Sequence, residues 1–151
     1  MASRSSSSSR KSEISSSEYQ TLAEFRHQLS AFLRRRRQAS EDAGLEAQQY
    51  EFLLALKGLP DGEQPNIKQI AKQLLLQHHS AVELASRLEK RGLLRRRRSL
   101  QDRREVLLSL TKTGDKMLEQ VAHYSFSQLR LEAPALLRTL RRLLKPKPSA
   151  K

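Results

Sequence analysis

The stretch from Leu84 to Thr111 constrains the fold more than any other part of this chain. It reads LASRLEKRGLLRRRRSLQDRREVLLSLT. An apolar helical stripe ends at Gly92, and two short apolar segments follow, separated by a loop rich in arginine. Glycine commonly ends a helix, and paired apolar segments around a polar loop predict a hairpin. This order of elements is the second half of a winged helix-turn-helix, whose helix enters the major groove of DNA and whose loop lies along the backbone or minor groove.

The charge of the chain points to an anionic partner. Its 151 residues carry a formal net charge of +13 and a sequence pI of about 10.7. A balance this basic favours nucleic acid or an anionic membrane surface. The longest apolar run, Phe52–Leu56, is too short to cross a bilayer, and the N-terminus lacks the apolar core of a signal peptide. The sequence contains no cysteine, which excludes thiolate metal sites and cysteine-based redox sensing.

Composition and periodicity predict a mainly α fold with a small β wing. Residues 1–17 contain ten serines and are expected to form a disordered leader, either a solubilising segment or a weak DNA-tracking arm. The apolar pattern predicts a helical dimerisation region made of residues 18–60 and 112–144. It predicts a winged helix-turn-helix DNA-binding domain over residues 61–111. Residues 145–151, with three lysines and two prolines, predict a loose basic tail.

The apolar pattern also places the individual elements. It predicts, in chain order, helices over 18–43 and 46–57, a short helix capped by Asn66, a recognition helix over 78–90, strands over 94–97 and 105–110, and helices over 111–131 and 135–144. Pro134 is expected to break the last helical segment, because proline lacks the amide donor. The first and last helices carry more apolar residues than a lone surface helix needs, which predicts a dimer interface. Its candidate residues are Leu22, Phe25, Leu29, Leu136, Leu140 and Leu143.

Several short motifs follow one another between residues 87 and 114. They are RLEKRGL from Arg87 to Leu93, Asp102-x-Arg104 in the predicted wing, then Leu110-Thr111 and Gly114. With these motifs, residues 19–144 resemble the multiple antibiotic resistance regulator (MarR) family of bacterial transcription factors. The resemblance implies a cytoplasmic, nucleoid-associated homodimer with interleaved terminal helices. It also implies sequence-specific binding to a pseudo-palindromic operator, and repression that a small anionic or phenolic effector, or an oxidant, relieves.

Three features depart from the family pattern. Leu75 stands where the turn usually has a glycine, so the turn either uses a negative φ or holds a leucine with strain. The recognition helix begins with Gln77, His78 and His79 instead of small hydroxyl residues, and Glu83 occupies a position that is often basic or polar. We therefore expect the fold of the family but an operator sequence of its own.

The polar face of the predicted recognition helix supplies candidate base contacts. They are Gln77, His78, His79, Ser80, Val82, Glu83, Ser86 and Arg87. His79, Ser80 and Glu83 are assigned to base edges, with Glu83 accepting from cytosine N4. Ser80 and Glu83 fit a capping box equally well, which would start the helix two residues later. His79 and Glu83 alone do not complete a metal site, so no metal or other cofactor is predicted.

The predicted wing supplies candidate phosphate and minor-groove contacts. They are Arg96, Arg98, Arg103 and Arg104. Because side chains alternate along a strand, two of the four residues Arg95–Arg98 are expected to face solvent or DNA and two to pack along the hairpin. The alternative is a run of charged side chains that contact only solvent. Arginine suits a narrow minor groove, where negative potential is concentrated. Asp102 would repel phosphate unless it were paired, so we expect it to support the wing by holding Arg104 in a bidentate contact.

A second arginine run, Arg34–Arg37, lies within the first predicted helix. Arg36 continues the apolar stripe of that helix. Either its stem packs while its head reaches solvent, or it is a candidate anion ligand at the junction of the dimer helices and the winged domain. The nearest acidic residues expected to pair with it are Glu41, Asp42 and Glu46.

Other classes of function fit the sequence less well. The sequence has no glycine-rich phosphate loop, metal triad or nucleophile elbow, so we do not expect an enzyme. A nonspecific architectural nucleic-acid-binding protein, or a winged domain used for protein contacts, would also be basic. Residues 77–86 contain only Glu83 as a formal charge, which favours base reading over a uniformly cationic surface.

Overall fold

The computed structural model describes residues 13–145. Its elements are α1 (Ser16–Asp42), α2 (Ala47–Lys57), α3 (Ile67–Leu74), α4 (His78–Lys90), β1 (Leu94–Arg98), β2 (Val106–Leu110) and α5 (Lys112–Leu143). The predicted mainly α fold with a small β wing is confirmed. Most of the leader and nearly all of the basic tail lie outside the described residues. Helix α1 begins at Ser16, within the range expected for the leader, because Ser15 and Glu18 form a capping box there.

The apolar core lies in the lobe built by α2, α3, α4, the hairpin β1–β2 and the adjoining ends of α1 and α5, which we call the winged lobe. Helix α4 buries one face, composed of Ala81, Leu84, Ala85 and Leu88. Phe52 and Ile70 pack in the same cluster, and each is 0% exposed. The remaining face of α4 therefore points away from the core.

Helices α1 and α5 pack against each other in opposite directions and extend beyond the winged lobe as a two-helix arm, residues 16–36 and 125–143. Near its end, Arg142 pairs with Glu24, and this hydrogen bond holds the pKa of the Glu24 carboxyl below its usual range. The only residues buried along this part of the two helices are Thr21, Ser125 and Thr139. The arm thus has no apolar core within a single chain.

The break predicted at Pro134 is wrong, because α5 continues through it to Leu143. Pro134 lies on an exposed part of the helix. Proline has no amide hydrogen to donate to the carbonyl of Arg130, and Arg130 is itself an exposed residue. An ion pair between Arg35 of α1 and Glu132 of α5 also holds the helix beside the proline.

The start of α5 is joined directly to the end of α4. The hydroxyl of Thr111 donates to the carbonyl of Gly92 over 2.7 Å and accepts from the amide of Gly114 over 3.0 Å. A Cβ on Gly114 would lie 2.1 Å from the carbonyl oxygen of Leu93. The glycine is therefore required for this close approach of backbones.

Leu75 ends α3 in the left-handed conformation, with φ 54° and ψ 37°. Of the two alternatives that the sequence left for this turn, the strained leucine is the one found. Its side chain is 92% exposed, so little apolar burial offsets the strain. The left-handed conformation costs an L-residue with a Cβ roughly 1–2 kcal/mol.

Replacement of Leu75 with glycine is expected to raise the free energy of unfolding by about 0.5–1 kcal/mol. Glycine relieves the strain, and its larger unfolded-state entropy offsets part of the gain. Urea denaturation measures the change. Leu100→Gly is the matched control, because Leu100 is 98% exposed but has no positive φ, and it should not be stabilising. A less stable Leu75→Gly variant would show that the turn is not strained.

No helix between residues 13 and 145 combines the length and the apolar character needed to cross a membrane.

Candidate nucleic-acid interface

The exposed face of α4 carries the residues predicted to read DNA. Gln77, His78, His79, Glu83, Ser86 and Arg87 are exposed, and Ser80 and Val82 are half-buried. The alternative start at a Ser80–Glu83 capping box is wrong, since α4 begins at His78 and its N-cap is Gln77. The two histidines therefore lie in the first turn, at the end of the helix that would enter a groove.

The other end of α4 is held by the turn between α1 and α2. The guanidinium of Arg91 donates to the side-chain oxygen of Gln49 over 2.5 Å and to the carbonyl of Gly44 over 2.7 Å. Arg87 lies 3.4 Å from Glu46, although both side chains are largely exposed. In the sequence, Arg91 stands out only as part of the RLEKRGL motif, which does not indicate its contacts with Gln49 and Gly44. These contacts fix the recognition helix relative to the base of the two-helix arm.

The strand register sorts the wing arginines by face. Arg96 pairs across the hairpin with Leu108, and Arg95 pairs with Ser109. Arg95 and Arg97 are exposed on one face, while Arg96 is half-buried on the face that packs toward the lobe. Arg98 shares the face of Arg96 but is exposed because it lies at the end of the strand. The four arginines alternate between the two faces as expected, but only Arg96 packs along the hairpin, where two had been expected to.

The loop of the wing is held by its own hydrogen bonds. The hydroxyl of Ser99, which is 6% exposed, accepts from the amides of Gln101 and Asp102. Asp102 accepts from the backbone amide of Arg104 over 3.0 Å, so the predicted bidentate contact with the Arg104 guanidinium is wrong. A short aspartate side chain reaches the amide two residues ahead in a tight turn. Asp102 therefore shapes the loop, and Arg104 is exposed.

The base of the wing is tied to α3. Asn66 caps α3 by accepting from the amide of Gln69 over 3.0 Å, as its position predicted. Its amide group also donates to Glu105 over 2.6 Å. No sequence signal points to Glu105, because the contact joins residues far apart in the chain. Helices α3 and α4 and the wing thus form one connected unit.

Comparison with known proteins agrees with this geometry. Residues 43–105 match the sequence profile of the MarR family. This part of the chain is therefore similar to the MarR family. A curated relative from Bacillus subtilis, the organic hydroperoxide resistance transcriptional regulator, is 37% identical over 71 residues. This match covers 47% of the present chain and 48% of the relative, so it spans about half the length of that protein.

Solved structures share the fold of this chain. AbsC from Streptomyces coelicolor, a MarR family transcriptional regulator, superposes with a TM-score of 0.69 at 22% identity, over 89% of this chain and 93% of AbsC. A mutant of MepR from S. aureus bound to an oligodeoxyribonucleotide superposes with a TM-score of 0.61 at 24% identity, over 82% of this chain and 84% of that protein. At these identities the likeness establishes the fold.

Arg36 lies at the junction of the arm and the winged lobe. Its guanidinium donates to Glu51 of α2 over 2.5 Å and lies 5.5 Å from the centre of the Tyr50 ring. The expected pairing with Glu41, Asp42 or Glu46 is wrong, because Arg36 faces α2 and not the end of α1. Its side chain is 19% exposed, so the head is paired and does not extend into solvent.

Metal binding has no support in this part of the chain. Residues 13–145 contain no group of three or more side chains placed to hold a metal ion.

Proposed function

We propose that this chain is a transcriptional regulator that binds double-stranded DNA in a sequence-specific manner, as a homodimer on a pseudo-palindromic operator. One observation carries the proposal. An exposed helix face with polar and histidine side chains lies beside a wing whose exposed side chains are mostly arginine. Base reading needs groups of varied hydrogen-bonding character, whereas phosphate contact needs positive charge. The two surfaces supply these functions separately.

Specific roles follow from this division. His79 and Glu83 lie on the exposed face of α4 and are assigned to base edges in the major groove. Arg98, Arg103 and Arg104 are exposed on the wing and are assigned to phosphates and the minor groove. Similarity to a transcriptional regulator from B. subtilis, over about half the length of that protein, supports a role in transcription regulation.

The homodimer is supported by the two-helix arm. Large apolar side chains are exposed along it, with Leu22 at 55%, Phe126 at 60% and Leu131 at 74%. A pair of helices without an apolar core of its own requires further apolar contacts. A second copy of the same arm supplies these contacts. The resulting dimer has the two-fold symmetry that a palindromic site requires.

Selection from a random DNA pool followed by footprinting tests the proposal. We expect a pseudo-palindromic sequence protected as two half-sites, with centres about 10 base pairs apart. Binding should survive an excess of random competitor DNA. Unbroken protection without a preferred sequence would instead support the nonspecific architectural protein.

We further propose that a small anionic or aromatic effector competes with Glu51 for Arg36. Such a ligand would shift the lobes only through a difference in its affinity for the two arrangements. Calorimetry with a panel of aromatic carboxylates, together with DNA release, should show binding by the wild type that is lost in Arg36→Ala. Arg34→Ala, an exposed position in the same run, is the control. Binding that persists in Arg36→Ala would leave the arginine with a purely structural role.

A further inference from the structure

Arg96 is turned toward the recognition helix. Its terminal Nη2 donates to the carbonyl of Val82 over 3.2 Å and to the hydroxyl of Ser86 over 2.8 Å. Its Nε is buried and has no hydrogen-bond acceptor within residues 13–145. A guanidinium enclosed in this way is not displayed for contact with phosphate.

The contact is built from both secondary-structure elements. The strand register places Arg96 opposite Leu108, which is 3% exposed, so the side chain must leave β1 toward α4. On α4, the hydroxyl of Ser86 donates to the carbonyl of Val82 over 3.0 Å and therefore presents its lone pairs to Arg96. A charged donor, a hydroxyl and a helix carbonyl form one closed network.

This network joins the two surfaces that would contact DNA. Val82 and Ser86 lie in the middle of α4, one turn apart. Hydrogen bonds that involve a charged donor are stronger than those between neutral groups. The Arg96 contact therefore restrains the hairpin relative to the helix face. A helix in the major groove and a wing on the adjacent backbone must keep a fixed separation to contact the same site.

We propose that Arg96 is a positioning residue for base reading. It fixes the wing relative to α4 and thereby supports discrimination between DNA sequences without touching DNA. This inference rests on the proposed function, and it separates Arg96 from Arg98, Arg103 and Arg104, which are exposed.

The test compares Arg96→Met with Arg95→Met. Methionine keeps much of the aliphatic stem and removes the hydrogen-bond donors. Arg95 is the matched control, because it lies on the same strand, carries the same charge and is exposed on the opposite face. Binding is measured on the selected operator and on random DNA across a range of salt concentrations.

Arg96→Met should weaken binding to the operator roughly tenfold, about the effect of misplacing one base contact. Binding to random DNA should stay within about twofold, and the salt slope should not change, because no phosphate contact is lost. Arg95→Met should affect both DNAs alike. Hydrogen exchange without DNA should be faster in α4 of Arg96→Met than in α4 of Arg95→Met or the wild type.

Other outcomes overturn the inference. A salt slope flattened by about one unit, with equal losses on both DNAs, would make Arg96 a phosphate contact. Identical behaviour of the two variants, in binding and in hydrogen exchange, would show that the network restrains nothing. If the wild type itself failed to discriminate, the proposed function would fall and the inference with it, whereas intact discrimination in Arg96→Met would remove the inference alone.

Discussion

A variant carrying Leu22→Glu and Leu29→Glu is expected to be a folded monomer, whereas the wild type is expected to be a dimer. The two leucines lie seven residues apart on α1, which places them on one face two turns apart. In the single chain they are 55% and 43% exposed, so glutamate is tolerated there. In a symmetric interface the two substitutions would bury four carboxylates, each at a cost of several kcal/mol.

Size-exclusion chromatography with light scattering at micromolar concentration measures the change. Circular dichroism should show that the helices persist. Gln120→Glu adds one glutamate charge at an exposed position of α5 outside the arm, and this control should remain dimeric. The monomer should also bind the operator about a hundredfold or more weakly, because it loses the linkage between two half-sites.

Two results would contradict this expectation. A monomeric wild type would end the dimer proposal. A double variant that remains a dimer would place the interface on a different face of the arm.

Local signals explain why so much of the winged lobe could be predicted. The apolar period of α4, the caps at Asn66 and Thr111, and the glycine at position 92 each act within a few residues. The predicted bounds of α4 therefore agree with the structure. The start of α1 was missed by two residues, because the Ser15–Glu18 capping box lies at the edge of a serine-rich segment.

Long-range packing and loop geometry explain the errors. Pro134 was expected to end a helix, but it lies on an exposed part of α5, and an ion pair with α1 holds the helix beside it. The partner of Arg36 depends on how α1 crosses α2, which spacing along α1 does not reveal. Asp102 was assigned to a side chain, whereas the tight turn of the wing brings a backbone amide closer. For Arg36 and Asp102, the sequence identified the residue but not its partner.

The two DNA surfaces should respond differently to substitution. Arg98→Ala combined with Arg103→Ala is expected to weaken binding to every sequence by about a hundredfold near physiological salt. Each phosphate contact contributes roughly 0.9 to the slope of log K against log salt, so the slope should flatten by about two units. Arg130→Ala combined with Arg141→Ala removes the same charge from exposed positions of α5 and serves as the control.

His79→Ala should instead reduce the preference for the operator over random DNA by roughly five- to a hundredfold, the range for one base contact. Its salt slope should match that of the wild type, because no phosphate contact is removed. Arg98 donates to the carbonyl of Arg103 over 3.3 Å, so thermal unfolding must show that the wing variant remains intact. If the wing variant and His79→Ala lost affinity equally on operator and random DNA, α4 would not read bases. The protein would then be a nonspecific nucleic-acid-binding protein whose binding depends on its positive charge.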